Sequence, residues 1–225
     1  MPNWVFNNLA VTGTPAELDV FKHEMAEPYQ TTMYDYELRV DKPHTHRSPL
    51  SFWNAVAPED VEWYHKDAAW YEWNIEHWGC KWDASNVYLT EEDGKLAYDF
   101  DTPWSIPLNA MKAMSAKYPN LVFDLYSEEE QGWGAEIVFK AGKEDWVKEW
   151  DIPQSHADYV ALDRECSLCE GGFNVLDVED WFSDCPRPDK EELDKLIAEA
   201  EADNERIRLM IKGLTENSEN GTVVS

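Results

Sequence analysis

Cys166-Ser-Leu-Cys169 is the sharpest chemical spacing in the chain, with Cys185 sixteen residues further on and His156 ten residues before. Three thiols and one imidazole can complete a tetrahedral zinc site. A redox CxxC and ordinary buried or free thiols are the other two readings. Cys185 is followed by Pro-Arg-Pro rather than by a second ligand pair, and no thioredoxin-like pattern surrounds the CxxC. No motif calls for an organic cofactor, so zinc is the one group these residues could hold. A second candidate is "NIEHWGCKWDASNV" (74–87), where His77 could act as base and Cys80 as nucleophile. Residues three apart meet on a helix, but Gly79 stands between these two and is a helix stop. The stretch therefore reads more simply as a hinge, in which Trp78, Trp82 and Trp104 cluster and Asp83 or Asp101 accepts a ring N–H or pairs with Lys81. His44-Thr45-His46, near Asp35 and Asp41, has ligand types too, in a proline-containing stretch that reads as a solvated loop. No phosphate loop, dinucleotide fingerprint, HExxH or nucleophile elbow is present, and the chain is read as a non-enzyme.

The strongest pattern is charge. There are 46 Asp and Glu against 19 Lys and Arg, a net charge of −27, spread along the chain rather than held in a tail. Phosphate contacts need cations, so direct nucleic-acid binding is excluded as an expectation. Such a surface keeps a protein dispersed and favours basic partners. Two clusters interleave acids with aromatics: Glu128, Glu129, Glu130 and Trp133 in one, and Asp177, Glu179, Asp180, Trp181 and Asp184 in the other. Carboxylates take a partner's cations and rings supply stacking, so these nine are the candidate partner-binding residues. Solubility and protection of strand edges explain the same acids without a partner.

The elements that must position these residues follow from periodicity. The 225 residues include 12 Trp, 10 Tyr and 8 Phe, enough bulk for a real core. "WVFNNLAVTG" (4–13) alternates as a strand. Thr14, Pro15 and Glu17 open a helix over 14–27 with a capping box. "TMYDYELRV" reads as a strand, 41–60 as loop and connector, and 58–79 as a helix. Two strands around 87–100 flank the hairpin signal Asp93-Gly94. A helix over 103–119 precedes strands within 120–130 and 134–143. The order β-α-(insertion)-β-β-α-β-β contains the ferredoxin-like split βαβ arrangement. The expected architecture is α+β: a domain over 1–150 with an insertion at about 28–80, then a cysteine-containing segment and a helix over 151–214, and a disordered tail over 215–225. The seven-residue recurrence of Leu193, Ala200, Ile207 and Leu214 suits docking, or a homodimer through the 190–214 helix.

Three signatures resemble the YubB-type ferredoxin-like family carried by phages, plasmids and other mobile elements. They are "MPNW" followed by Asn8, Leu9, Val11, Thr12 and Gly13; "WYEWNIEHWGCKWDA" (70–84); and "FDTPWSIP" (100–107). The resemblance covers residues 1–140. The family pattern has Asn at the position of His77, Thr at that of Cys80 and Cys at that of Val5. The resemblance implies a ferredoxin-like fold and a mobile-element setting, and no reaction.

No apolar run reaches the length of a membrane span, and "MPNWVFNNLAVTG" lacks a signal-peptide pattern. With only four cysteines, a reducing host cytoplasm is the expected location. The expected function is that of a phage or plasmid accessory protein, an inhibitor whose carboxylates imitate phosphates and occupy a basic surface on a host nucleic-acid-handling defence complex of CRISPR or restriction type. The alternatives are a zinc-supported enzyme or regulator using residues 156–185, and a self-assembling structural protein.

Overall fold

Alternation makes Trp4–Thr12 a strand, β1: Val5, Leu9 and Val11 are fully buried while Phe6 and Asn8 face outward. The computed structural model describes residues 3–35, 37–59, 61, 64, 69–166, 168–169, 181–187 and positions 191, 195, 197, 198, 202 and 206. Helix α1 (Pro15–Met25) follows, opened by a capping box in which Thr14 accepts from the Glu17 N–H and Glu17 accepts from the Thr14 N–H. The other main-sheet strands are β4 (Ser85–Glu92), β5 (Lys95–Pro103), β6 (Val122–Glu129), β7 (Gly134–Lys140) and β8 (Lys143–Trp150), with α4 (Leu108–Lys117) between β5 and β6.

The six strands form one antiparallel sheet in the order β4-β5-β1-β6-β7-β8. Its first four are the split βαβ core: β1 crosses by α1 to β4 with β5 between them, and β5 crosses by α4 to β6 with β1 between them. Both helices cover one face, and Phe21 of α1 packs its ring edge against Tyr98 and Phe123 of the sheet. Met111 and Met114 of α4 and Ile137 and Phe139 of β7 complete the buried layer. Across the sheet, Asn7 is buried and donates to the carbonyls of Val5 and Phe100 and to Thr102 Oγ1, while accepting from Ser127 Oγ at 2.7 Å. This network ties β1 to both neighbours.

Three expectations are corrected. The sheet continues past 143 into β8, whose residues are exposed apart from half-buried Trp150, so its pattern carries little apolar alternation. The stretch 41–46 is not a loop but lies in β3 (Val40–His46), paired with β2 (Tyr29–Asp35) as a separate two-stranded sheet in which Pro43 is tolerated opposite Thr32. The helix expected over 58–79 is α3 (Ala69–Trp78), and the connector before it contains the one-turn α2 (Phe52–Ala55). Val61 lies outside any helix and is exposed, whereas Tyr64 is in a turn and buried against Trp53, Trp73 and Trp78.

The chain divides into two units, residues 1–152 and residues 153–225. In the second, α5 (His156–Ala161) leads into a small core of Tyr159, Cys166, Trp181 and Cys185. Of the helix expected at 190–214, the described positions are helical. The seam residues Leu193, Ala200, Ile207 and Leu214, and the tail, lie outside the described residues.

Candidate functional site

The stretch 74–87 is a structural hinge. Gly79 ends α3 with φ +85°, and its N–H returns to the carbonyls of Asn74 and Ile75. His77 stacks on Trp73 at 4.2 Å and directs Nδ1 at that residue's carbonyl. Cys80 is fully buried and donates to the Trp82 carbonyl, and burial with the nearby Asp83 charge holds its thiol well above the usual range. Neither residue is poised as base or nucleophile. The expected tryptophan cluster is split. Trp82 and Trp104 stack at 6.4 Å, but Trp78 packs on Phe52, Trp53 and Trp73 and donates to the Val56 carbonyl. Asp83 serves no indole. Its Oδ1 accepts from the N–H groups of Phe52 and Ala84, and its Oδ2 accepts from Ser51 Oγ, Tyr29 OH and the Trp53 N–H. Asp83 is partly exposed as a residue, but its carboxylate faces inward; burial raises its pKa, and the bonds from Ser51, Phe52, Ala84 and Trp53 only partly offset this.

Around Asp83 lies an open cleft of about 570 Å³, bordered by the β2-β3 hairpin. His46 stacks on Tyr29, and Tyr29 on Trp53, with His46 Nε2 2.8 Å from Thr31 Oγ1. The polar groups converging here are engaged in holding the insertion to β4. His44 and His46 meet edge-on at 4.6 Å, and among the described residues no third ligand joins them.

The sheet face opposite the helices presents a different chemistry. Strand register puts Asp101 and Glu128 on either side of Phe6, and Asp99 and Tyr126 on either side of Asn8. Tyr88 lies beyond Asp99, and Glu136 beyond Tyr126. Phe6 is 51% exposed and Tyr88 71%, far more than a ring needs for packing. Trp4 shares this side of β1 and contacts Trp82 at 6.1 Å, which brings the Trp82–Trp104 stack to the same end. Lys81 Nζ stands 4.7 Å from each of the Trp82 and Trp104 ring centres, so these rings already hold a cation. The carboxylates are aimed by neighbours: Asn8 donates to Asp99, Asn86 to Asp101 and Tyr126 OH to Glu128. Lys95 opposite Thr12 and Lys140 opposite Lys143 lie toward the far end, while Lys148 lies opposite Glu136. Acids and aromatics are grouped around Phe6, with Lys81 and Lys148 at the margins of the group.

The residues singled out by sequence distribute as follows. Glu128 belongs to the acidic end, and exposed Glu130 lies beside it, its N–H donating to the Trp4 carbonyl. Glu129 is buried, since its strand position points to the core, and its carboxylate accepts from the Gln131 N–H. Trp133 packs against the main core. Trp181 is not a surface ring but a core residue of the second unit. Asp184 caps α5, accepting from the N–H groups of His156 and Ala157. Asp177, Glu179 and Asp180 lie outside the described residues. His156, Cys166, Cys169 and Cys185 do converge, with ligating atoms all within 4.8 Å of one another. Burial raises the Cys166 thiol, but the Cys169 N–H and the His156 side chain outweigh it and bring the pKa to about 7. The sequence reading did not place Phe6, Tyr88, Asp99, Tyr126 or Glu136 on this face, and it named Asp101 only as an acceptor in the hinge. The available signal was the alternation of Asp99 and Asp101 with Tyr98 and Phe100, which assigns them to opposite faces.

The fold is that of a ferredoxin-like α+β protein. Residues 77–166 match the model of a family described as the ferredoxin-like domain in Api92-like protein. A crystal structure of the protein api92 from Yersinia pseudotuberculosis is similar at 10% sequence identity, over 68% of this chain and 99% of that one, with a TM-score of 0.47. No curated protein matches the chain. Among the described residues, no helix is long and apolar enough to cross a membrane.

Proposed function

We propose that the protein is a non-enzymatic binding protein that docks a Lys/Arg-rich protein surface on the acidic, aromatic end of its open sheet face. The observation that carries this is the grouping of Asp99, Asp101 and Glu128 around exposed Phe6, Tyr88 and Tyr126. Arginine and lysine suit such a surface twice over, through carboxylates and through ring faces. The net charge of −27 draws cationic partners and repels nucleic acid itself. The resemblance to YubB-type proteins of mobile elements supports a host nucleic-acid-handling complex in the cytoplasm, of CRISPR or restriction type, as the partner class. In that reading the row of carboxylates occupies a groove built for phosphates.

The test compares the tagged wild-type protein with an Asp99→Asn/Asp101→Asn/Glu128→Gln variant and with Phe6→Ala in capture from host lysate. The expected result is a nucleic-acid-binding complex that is released by raised salt or competing DNA or RNA, and that both variants fail to hold. Equal capture by wild type and both variants would overturn the assignment of the face.

A further inference from the structure

We infer that His156, Cys166, Cys169 and Cys185 form a closed zinc site that holds the unit beginning at Pro153 together. The geometry fits a specific ion. A tetrahedral zinc with Zn–S bonds of about 2.3 Å and a Zn–N bond of about 2.0 Å sets S···S edges near 3.8 Å and S···N edges near 3.5 Å. Cys166 Sγ and Cys185 Sγ stand 3.8 Å apart, and Cys169 Sγ lies 3.3 Å from His156 Nδ1. No pair of the four donor atoms exceeds 4.8 Å. Two thiols at 3.8 Å are far outside the disulfide bond length of about 2.05 Å, and all four cysteines of the chain are free.

The local backbone is arranged for the same purpose. In Cys166-Ser-Leu-Cys169, the N–H groups of Leu168 and Cys169 turn back onto the Cys166 sulfur and fix its direction. His156 is fixed as the first residue of α5 by Ser155, which accepts from the Asp158 N–H, and by Asp184, which accepts from the His156 N–H. Asp184 directly precedes the ligand Cys185, so one turn positions two ligands from distant parts of the segment. Such outer bonds orient ligands in metal sites generally.

The ligand set selects the ion and its role. Three thiolates with one imidazole in a tetrahedron suit zinc. All four positions are filled by protein, so no water is held for chemistry and the role is structural. Among the described residues the unit's buried cluster is Tyr159, Cys166, Trp181 and Cys185, two of them ligands themselves. Metal binding at two of these residues would tie the cluster together. The expected net change on binding is release of the thiol protons as the metal enters.

The experiment uses the full chain, carrying no histidine tag and purified under reducing conditions. Elemental analysis is expected to find about one zinc per chain, the stoichiometry of a closed four-ligand site. After chelation, cobalt(II) added alone is expected to give the visible d–d absorption of a tetrahedral ion with thiolate-to-metal charge transfer. Cys166→Ser/Cys169→Ser is expected to lose both signals. Since that variant can also lose its fold, His156→Cys is the companion: it keeps four ligands, and is expected to retain the stoichiometry while shifting the cobalt spectrum. Less than about 0.2 metal per chain after reconstitution, an unshifted spectrum in His156→Cys, or a Cys166–Cys185 disulfide recovered in place of metal would overturn the inference.

Discussion

At the scale of single residues, Asp83 is the most consequential side chain of the insertion. One carboxylate satisfies the start of α2, the Tyr29 hydroxyl and the first residue before β4. Removing it leaves several donors without acceptors, and Asp83→Ala is expected to cost about 2–4 kcal/mol in urea unfolding. Its pKa is raised by burial. The fold favours protonation more than the unfolded chain does, so the proton-linked part of the stability is fully present below the unfolded value of about 3.9 and is lost as pH rises through the folded pKa, while the hydrogen bonds to the carboxylate remain. Asp83→Asn resembles the protonated acid in charge but has one acceptor oxygen. Its deficit against wild type is expected to widen as pH falls through the folded value, read as unfolding midpoints across pH. Gly79 is the second such residue. With φ at +85° and an added Cβ only 3.1 Å from the Leu108 nitrogen, Gly79→Ala is strained on both counts. A loss of about 1–3 kcal/mol, measured by denaturant unfolding, is expected.

At the scale of elements, the open face and α5 carry the consequences. Strands β5, β1 and β6 bury Tyr98, Leu9 and Leu125 on one side and present Asp99, Asn8 and Tyr126 on the other. Substitutions on the presented side are expected to change partner capture while leaving unfolding midpoints nearly unmoved, which separates a binding loss from a folding loss. In α5, Asp184 is held below the usual carboxylate range by the N–H groups of Ala157 and His156. A depressed acid stabilises above its unfolded pKa, and that stabilisation is lost as pH falls through the folded value. Hydrogen exchange at the Ala157 and His156 amides is expected to be faster in Asp184→Ala than in wild type at neutral pH. The two should converge once both are acidified below the folded pKa.

At the scale of the whole molecule, two kinds of stabilisation divide the chain. Residues 1–152 rest on a large aromatic and aliphatic core between sheet and helices, whereas among the described residues of the second unit the buried groups are a few rings and the Cys/His cluster. Chelation under reducing conditions is therefore expected to open residues 153–187 to limited proteolysis, with the sheet of 3–152 still intact in the same digest. Net charge acts on the molecule as a whole. With carboxylates exceeding cations by 46 to 19, partner association is expected to slow steeply as ionic strength rises, and dissociation to change less. Stopped-flow or surface-capture kinetics at two salt concentrations would read the difference.

Local signals in the sequence determined a good part of this protein. The capping box at Thr14, the turn at Asp93-Gly94, the stop at Gly79 and the two-residue alternation of β1, β5, β6 and β7 each depend on neighbours in the chain. They were legible, and with them the split βαβ order. The convergence of His156 with the CxxC could be proposed from spacing. What tertiary structure alone decided depends on which strands lie side by side. Register placed Phe6 between Asp101 and Glu128 and sent Glu129 inward, one residue away from an exposed neighbour. Packing took Trp181 and Trp133 off the list of surface rings, because an indole is equally suited to a core and an interface. The hairpin of β2 and β3 escaped notice because its strand contains Pro43 and has no buried alternation of its own. Asp83 was recognised as an acceptor, but its five donors come from residues 29, 51, 52, 53 and 84. A carboxylate's partners are chosen by the fold that encloses it, and no spacing in the chain foretells them.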